Sequence, residues 1–63
     1  MQIRFDEIGY GVDFSTEESK QIARIIVALQ RAQVDYRLIK RKTLYVDPKH
    51  KQVLDGILDA TFR

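Results

Sequence analysis

A single histidine, His50, stands between Lys49 and Lys51, three residues after Asp47. A histidine base needs an orienting carboxylate and a nucleophile within reach. Asp47 precedes Pro48 and is better used as a helix cap, so His50 reads as a solvated helix-start residue. Paired carboxylates occur at Asp6-Glu7 and Glu17-Glu18. Neighbours on a strand point apart, and capping explains the second pair, so neither suits general acid–base work. Gly9-Tyr10-Gly11 lacks the spacing and the following Lys of a phosphate loop. The chain has no Cys, which removes thiolate nucleophiles, disulfides and Cys-based zinc sites together. The expectation is a chain without catalytic residues, metal, cofactor or small-molecule substrate.

Cations form the most informative constellation. Arg37, Lys40, Arg41 and Lys42 precede Tyr45, and Lys49 and Lys51 follow it. The net charge of +2 is unevenly laid out. Residues 1–19 hold one Arg against five carboxylates, a net of −4. Residues 20–51 hold nine cations against two carboxylates, a net of +7, and residues 52–63 sum to −1. A basic middle suits an acidic protein surface or nucleic acid. In the second case Tyr45 would stack a base while Lys40, Arg41, Lys42, Lys49 and Lys51 neutralise phosphate.

These residues need a frame, and 63 residues allow one domain, 1–63. Hydrophobic residues make up 44% and charged residues 32%, a globular composition. No apolar run approaches a transmembrane length, and Met1-Gln2-Ile3-Arg4-Phe5-Asp6 does not read as a signal peptide. No membrane partner is expected, and the expected location is cytoplasmic.

Ile3 and Phe5 share one parity, and Ile8, Tyr10, Val12 and Phe14 the other. This reads as one long strand with a bulge or tight turn at Asp6-Glu7. Ser15 and Glu18 form a capping box, and Ile22, Ile25, Ile26, Leu29 and Ala32 predict a helix over 16–33. Val34, Tyr36 and Leu38 alternate in a second strand, and Leu44-Tyr45-Val46 is a third. Lys40-Arg41-Lys42-Thr43 lacks Gly and Asn, so a longer hairpin loop is expected there. Asp47-Pro48 starts a second helix with the stripe Val53, Leu54, Ile57, Leu58 and Phe62. Gly56 within it is expected to mark close packing.

The order strand, helix, strand, strand, helix predicts an α+β two-layer βαββα sandwich, half of a ferredoxin-like unit. Its three-stranded sheet would place the third strand between the first and second, with both helices on one face. The expected core is Ile3 or Phe5, Ile22, Ile26, Leu29, Leu38, Leu44, Val46, Leu54, Ile57 and Leu58.

The stretches Ala23–Leu29, Val34–Leu38, Leu44–Asp47 and Val53–Leu58 resemble the small ring-building domains of flagellar and type III secretion inner-membrane rings. The resemblance covers roughly residues 16–62 and is carried by the hydrophobic pattern. It implies a self-assembling or partner-binding module without catalysis. The residues themselves point the same way, because a small core is stabilised when an edge strand or open sheet face is covered. The expected role is a non-enzymatic regulator, inhibitor or self-associating accessory subunit, of a size that also suits a small phage protein. Its expected contacts are Tyr10, Val12, Arg37, Ile39 and Tyr45. The alternative is a nucleic-acid-binding module built on the basic hairpin and Tyr45.

Overall fold

The change of parity at Asp6-Glu7 is a hairpin turn. In a computed structural model that describes residues 1–63, β1 (Gln2–Phe5) and β2 (Tyr10–Asp13) are separate strands joined by Asp6-Glu7-Ile8-Gly9. Asp6 and Gly9 each donate an amide to the other's carbonyl at 3.2 Å. Asp6 Oδ1 also accepts from the Ile8 amide at 2.9 Å. Asp at the first and Gly at the last position are what such a turn favours. Ile3 therefore pairs with Val12 and Phe5 with Tyr10, so both apolar sets share one face.

The expected three-stranded sheet is thereby corrected. The sheet has four antiparallel strands in the order β1-β2-β4-β3, with β3 at Tyr36–Ile39 and β4 at Thr43–Val46. The fold remains α+β, and β4 takes the expected place between β2 and β3.

The helices are α1 (Ile22–Arg31) and α2 (Lys51–Thr61). The capping box forms: Glu18 N donates to Ser15 Oγ at 3.2 Å, and Ser15 N to Glu18 Oε1 at 2.9 Å. A 3-10 turn over Glu18–Gln21 then leads into α1, which is shorter than the 16–33 expected. Its far end is closed by two bonds, Val34 N to Leu29 O at 2.9 Å and Gln33 N to Gln30 O at 3.1 Å. This closure needs a left-handed residue, and Gln33 supplies it at φ 58°. Asp47 caps the second helical segment, accepting from Lys49 N at 3.0 Å, and Pro48 follows.

Tyr10, Val12, Phe14, Leu44 and Val46 pack with Ile22, Ile25, Leu29, Val34, Leu54 and Leu58 in one core. Ile26, Tyr36 and Ile57 lie at its margin. Three expected core residues are misplaced. Ile3 is 50% exposed, Phe5 63% and Leu38 36%. They face the helix side but lie on the outer strands, while the helices cover β2 and β4.

Two local features set stability. The β3–β4 connection is the three residues Lys40-Arg41-Lys42 between the paired Ile39 and Thr43, longer than a two-residue turn as expected; Lys42 N donates to Ile39 O, with Lys40 at φ 53° and Arg41 at φ 59°. Both central residues are left-handed, as in a type I′ turn, at a cost of roughly 1–2 kcal/mol each. Replacing them by Asn-Gly (Lys40→Asn with Arg41→Gly) is expected to stabilise the domain by about 1–2 kcal/mol, read as a higher thermal midpoint. Gly56, in contrast to expectation, has open space where a Cβ would sit. Gly56→Ala is expected to add about 0.5–1 kcal/mol in urea unfolding, and a loss would show a close contact there.

Candidate functional site

The uncovered face of the sheet is set by register. Arg4, Gly11, Tyr45 and Arg37 form one row across it, and Gln2, Asp13, Thr43 and Ile39 the next. Gly11 exists for Tyr45: a methyl on Gly11 would lie 2.5 Å from Tyr45 Cε1 and 2.7 Å from Cδ1. The ring lies flat on that bare backbone, and its hydroxyl donates to Asp6 Oδ2 at 2.6 Å. Tyr45 is consequently only 4% exposed. Beside it, Arg4 is paired with Asp13, and Thr43 Oγ1 donates to the same carboxylate.

This face is a satisfied polar network. The Tyr45 hydroxyl holds the Asp6 carboxyl below the usual range, helped by the Ile8 and Gly9 amides. Thr43 and then Arg4 do the same for Asp13. On the helix side, Lys51 at 2.8 Å lowers Asp55, and the Tyr10 hydroxyl adds to the effect. Burial, reinforced by Asp55, pushes Tyr10 up to about 12.

The signs give an expected pH profile. These three carboxylates and Glu18, lowered by the Ser15 amide of the capping box, contribute stability that is present above their ordinary pKa of about 4 and is lost as pH falls through their folded values. The raised Tyr10 contributes stability that is present below about pH 10 and is lost as pH rises toward 12. Urea midpoints are therefore expected to drop at both extremes. Asp6→Asn with Asp13→Asn should flatten the acid arm, and Tyr10→Phe the alkaline arm.

The expected contact residues are not brought together. Tyr10 is 2% exposed and Val12 0%, so both belong to the core and neither meets a partner. Their parity aims them under the helices. Arg37 is exposed and Ile39 half-buried on the uncovered face. Tyr45 is on that face as expected but offers no free ring surface. The basic residues also divide. Lys40, Arg41 and Lys42 sit at the hairpin tip, whereas Lys49 lies beyond the opposite end of β4, near Arg37 and His50. Lys51 is in the other layer, bonded to Asp55 and placed 5.5 Å over the Tyr10 ring. There is no single basic patch.

Another surface emerges instead along β1. Alternation counted from the doubly bonded Asp6–Gly9 pair makes Arg4↔Gly11 and Gln2↔Asp13 the hydrogen-bonded pairs. The backbone N–H and C=O groups of Ile3 and Phe5 therefore point away from β2, at the open sheet edge. Their side chains are half or more exposed, next to Met1 at 51% and Phe62 at 36%. A shallow groove between β1 and α2 is lined by Met1, Ile3, Tyr10, Leu58 and Phe62, with the charged Asp55, Asp59 and Arg63 along α2 and beyond it. Sequence reasoning expected the edge of the first strand to be a contact but placed Ile3 or Phe5 in the core, so it missed that their side chains are exposed there. The signal available was the edge position of the first strand.

No helix is long and apolar enough to cross a membrane. Compared with known protein families, curated proteins and solved structures, the chain matches none.

Proposed function

We propose that this chain is a non-enzymatic protein-binding module that accepts a partner strand on the free edge of β1. The observation that carries this reading is the pair Ile3 and Phe5. Both present apolar side chains, 50% and 63% exposed, from residues whose outward backbone groups have no partner. Strand addition satisfies such groups and covers such side chains in one step. The resemblance of residues 16–62 to ring-building domains agrees with an assembling or accessory role. The polar face serves less well, because Arg4 and Asp13 are paired with each other and Tyr45 is sealed, which leaves Arg37 as the one exposed charge on its strands outside an ion pair. Nothing favours nucleic acid: the one aromatic residue of that face is covered, and the cations are dispersed.

A pull-down with three baits tests the reading: the natural chain, Phe5→Lys and Arg41→Ala. The natural chain and Arg41→Ala are expected to recover the same partner, and Phe5→Lys to lose it. Equal recovery by Phe5→Lys would overturn edge binding. Loss with Arg41→Ala alone would move the site to the hairpin tip.

A further inference from the structure

We infer that the strand accepted by β1 is β1 of a second copy, paired antiparallel across a twofold axis centred on Ile3. This rests on the edge-binding reading above and names its partner.

The edge is unprotected. β1 contains no Pro, no Lys and no bulge, three of the devices that keep strand edges from pairing, and only its four-residue length limits it. Its one cation, Arg4, is paired with Asp13 on the polar face. The opposite edge, β3, carries Arg37 and runs into Lys40, Arg41 and Lys42. Like charges would repel there, so the two edges are not equivalent.

Register then selects the arrangement. Outward-pointing residues must face each other in an antiparallel pair, so Ile3 and Phe5 allow three symmetric alignments. Centring on Arg4 puts two Arg4 side chains directly opposite, which is destabilising. Centring on Phe5 sets Ile3 against Glu7, which already belongs to the turn. Centring on Ile3 pairs Ile3 with Ile3, Phe5 with Met1 and Arg4 with Gln2. All apolar residues then meet apolar residues on the helix side, and Arg4 meets a neutral acceptor on the polar side.

The product is one eight-stranded antiparallel sheet, with all four helices on one face. The exposed row of Met1, Ile3 and Phe5 becomes continuous between the two copies, flanked by Phe62 of each. The closed edge also removes an aggregation liability. Such a short contact lies at the small end of specific interfaces, so dissociation constants of about 10–100 µM are expected.

Analytical ultracentrifugation over a concentration series is the first measurement, with a monomer–dimer equilibrium expected. Gln2→Arg faces Arg4 of the second copy and should weaken dimerisation about tenfold or more. Gln2 is exposed, so the fold is not at stake, and circular dichroism checks this. Phe5→Lys should abolish the dimer.

Because the natural chain has no Cys, single cysteines report register directly. Ile3→Cys sets two thiols on a hydrogen-bonded pair about 5.5 Å apart at Cα, within disulfide reach. Phe5→Cys sets them about 14 Å apart along the strands, out of reach. Fast disulfide formation by Ile3→Cys and slow formation by Phe5→Cys supports the inference. Equal rates, or the reverse order, overturn the register. A strict monomer overturns self-pairing. If Phe5→Lys still loses a different partner in the pull-down, the edge reading survives that outcome; if it loses none, both fail.

Discussion

Gly9→Ala is expected to cost about 3 kcal/mol, enough to leave a substantial fraction of so small a domain unfolded. Two independent causes combine. Gly9 sits at φ 145°, a conformation side chains rarely adopt. An added methyl would also lie 2.5 Å from the Val46 carbonyl oxygen. That oxygen belongs to the backbone of central β4, so it cannot swing aside as a side chain would. Relief requires moving the β1–β2 turn away from β4, which breaks the Asp6–Gly9 bonds and releases Tyr45 from Asp6. Urea unfolding is the measurement, with Gly56→Ala as the control of opposite sign. A loss under about 1 kcal/mol would mean that the turn re-forms in another geometry at little cost.

Tyr45→Ala is expected to destabilise by about 3–5 kcal/mol, the range for removing a buried aromatic ring. Tyr45→Phe should cost only about 1 kcal/mol, because it removes the hydroxyl bond to Asp6 and keeps the ring on Gly11. The pair of variants separates two roles for one residue. A ring that stacks a nucleic-acid base is dispensable for folding, so Tyr45→Ala would leave stability near that of the natural chain. A ring that roofs the backbone of β2 is part of the fold. Equal stabilities for Tyr45→Ala and Tyr45→Phe would refute the second role.

The sequence made some parts of this frame readable and not others. The entries to the helical segments were readable because Ser15 with Glu18, and Asp47 with Pro48, satisfy amide groups by fixed local geometry, although a 3-10 turn follows each and α1 itself begins only at Ile22. The central place of β4 followed from hairpin return. The helix end at Gln33 and the turn at Lys40-Arg41 were not readable, since left-handed residues are recognised by Gly or Asn and neither stands there. At Asp6-Glu7 the parity changed and the turn chemistry was present, but the apolar alternation on both sides was read as one strand with a bulge or tight turn in it. That choice decided the strand count.

The exposed apolar row of β1 was hidden for a different reason. Periodicity assigns a residue to a face and says nothing of whether that face is covered. Ile3, Phe5 and Leu38 face the same way as Val12, Tyr10 and Leu44. The inner three are 0–2% exposed and the outer three 36–63%, a contrast fixed by where the helices land. Tyr45 shows the converse. It lies on the uncovered face, yet Gly11 beneath it and Asp6 beyond it bury it without any helix.

The tight tip between β3 and β4 also governs how the chain meets proteases. Lys40-Arg41-Lys42 offers three consecutive exposed trypsin cleavage positions. Trypsin must draw several residues into an extended conformation, and here both flanking residues are already zipped, Ile39 opposite Thr43 and Leu38 opposite Leu44. A three-residue connection closed by its own hydrogen bond has little slack to give. Cutting therefore waits for β3 to peel from β4, and its rate follows how often that happens. The most basic segment of the chain thus serves as a built-in gauge of the sheet's integrity.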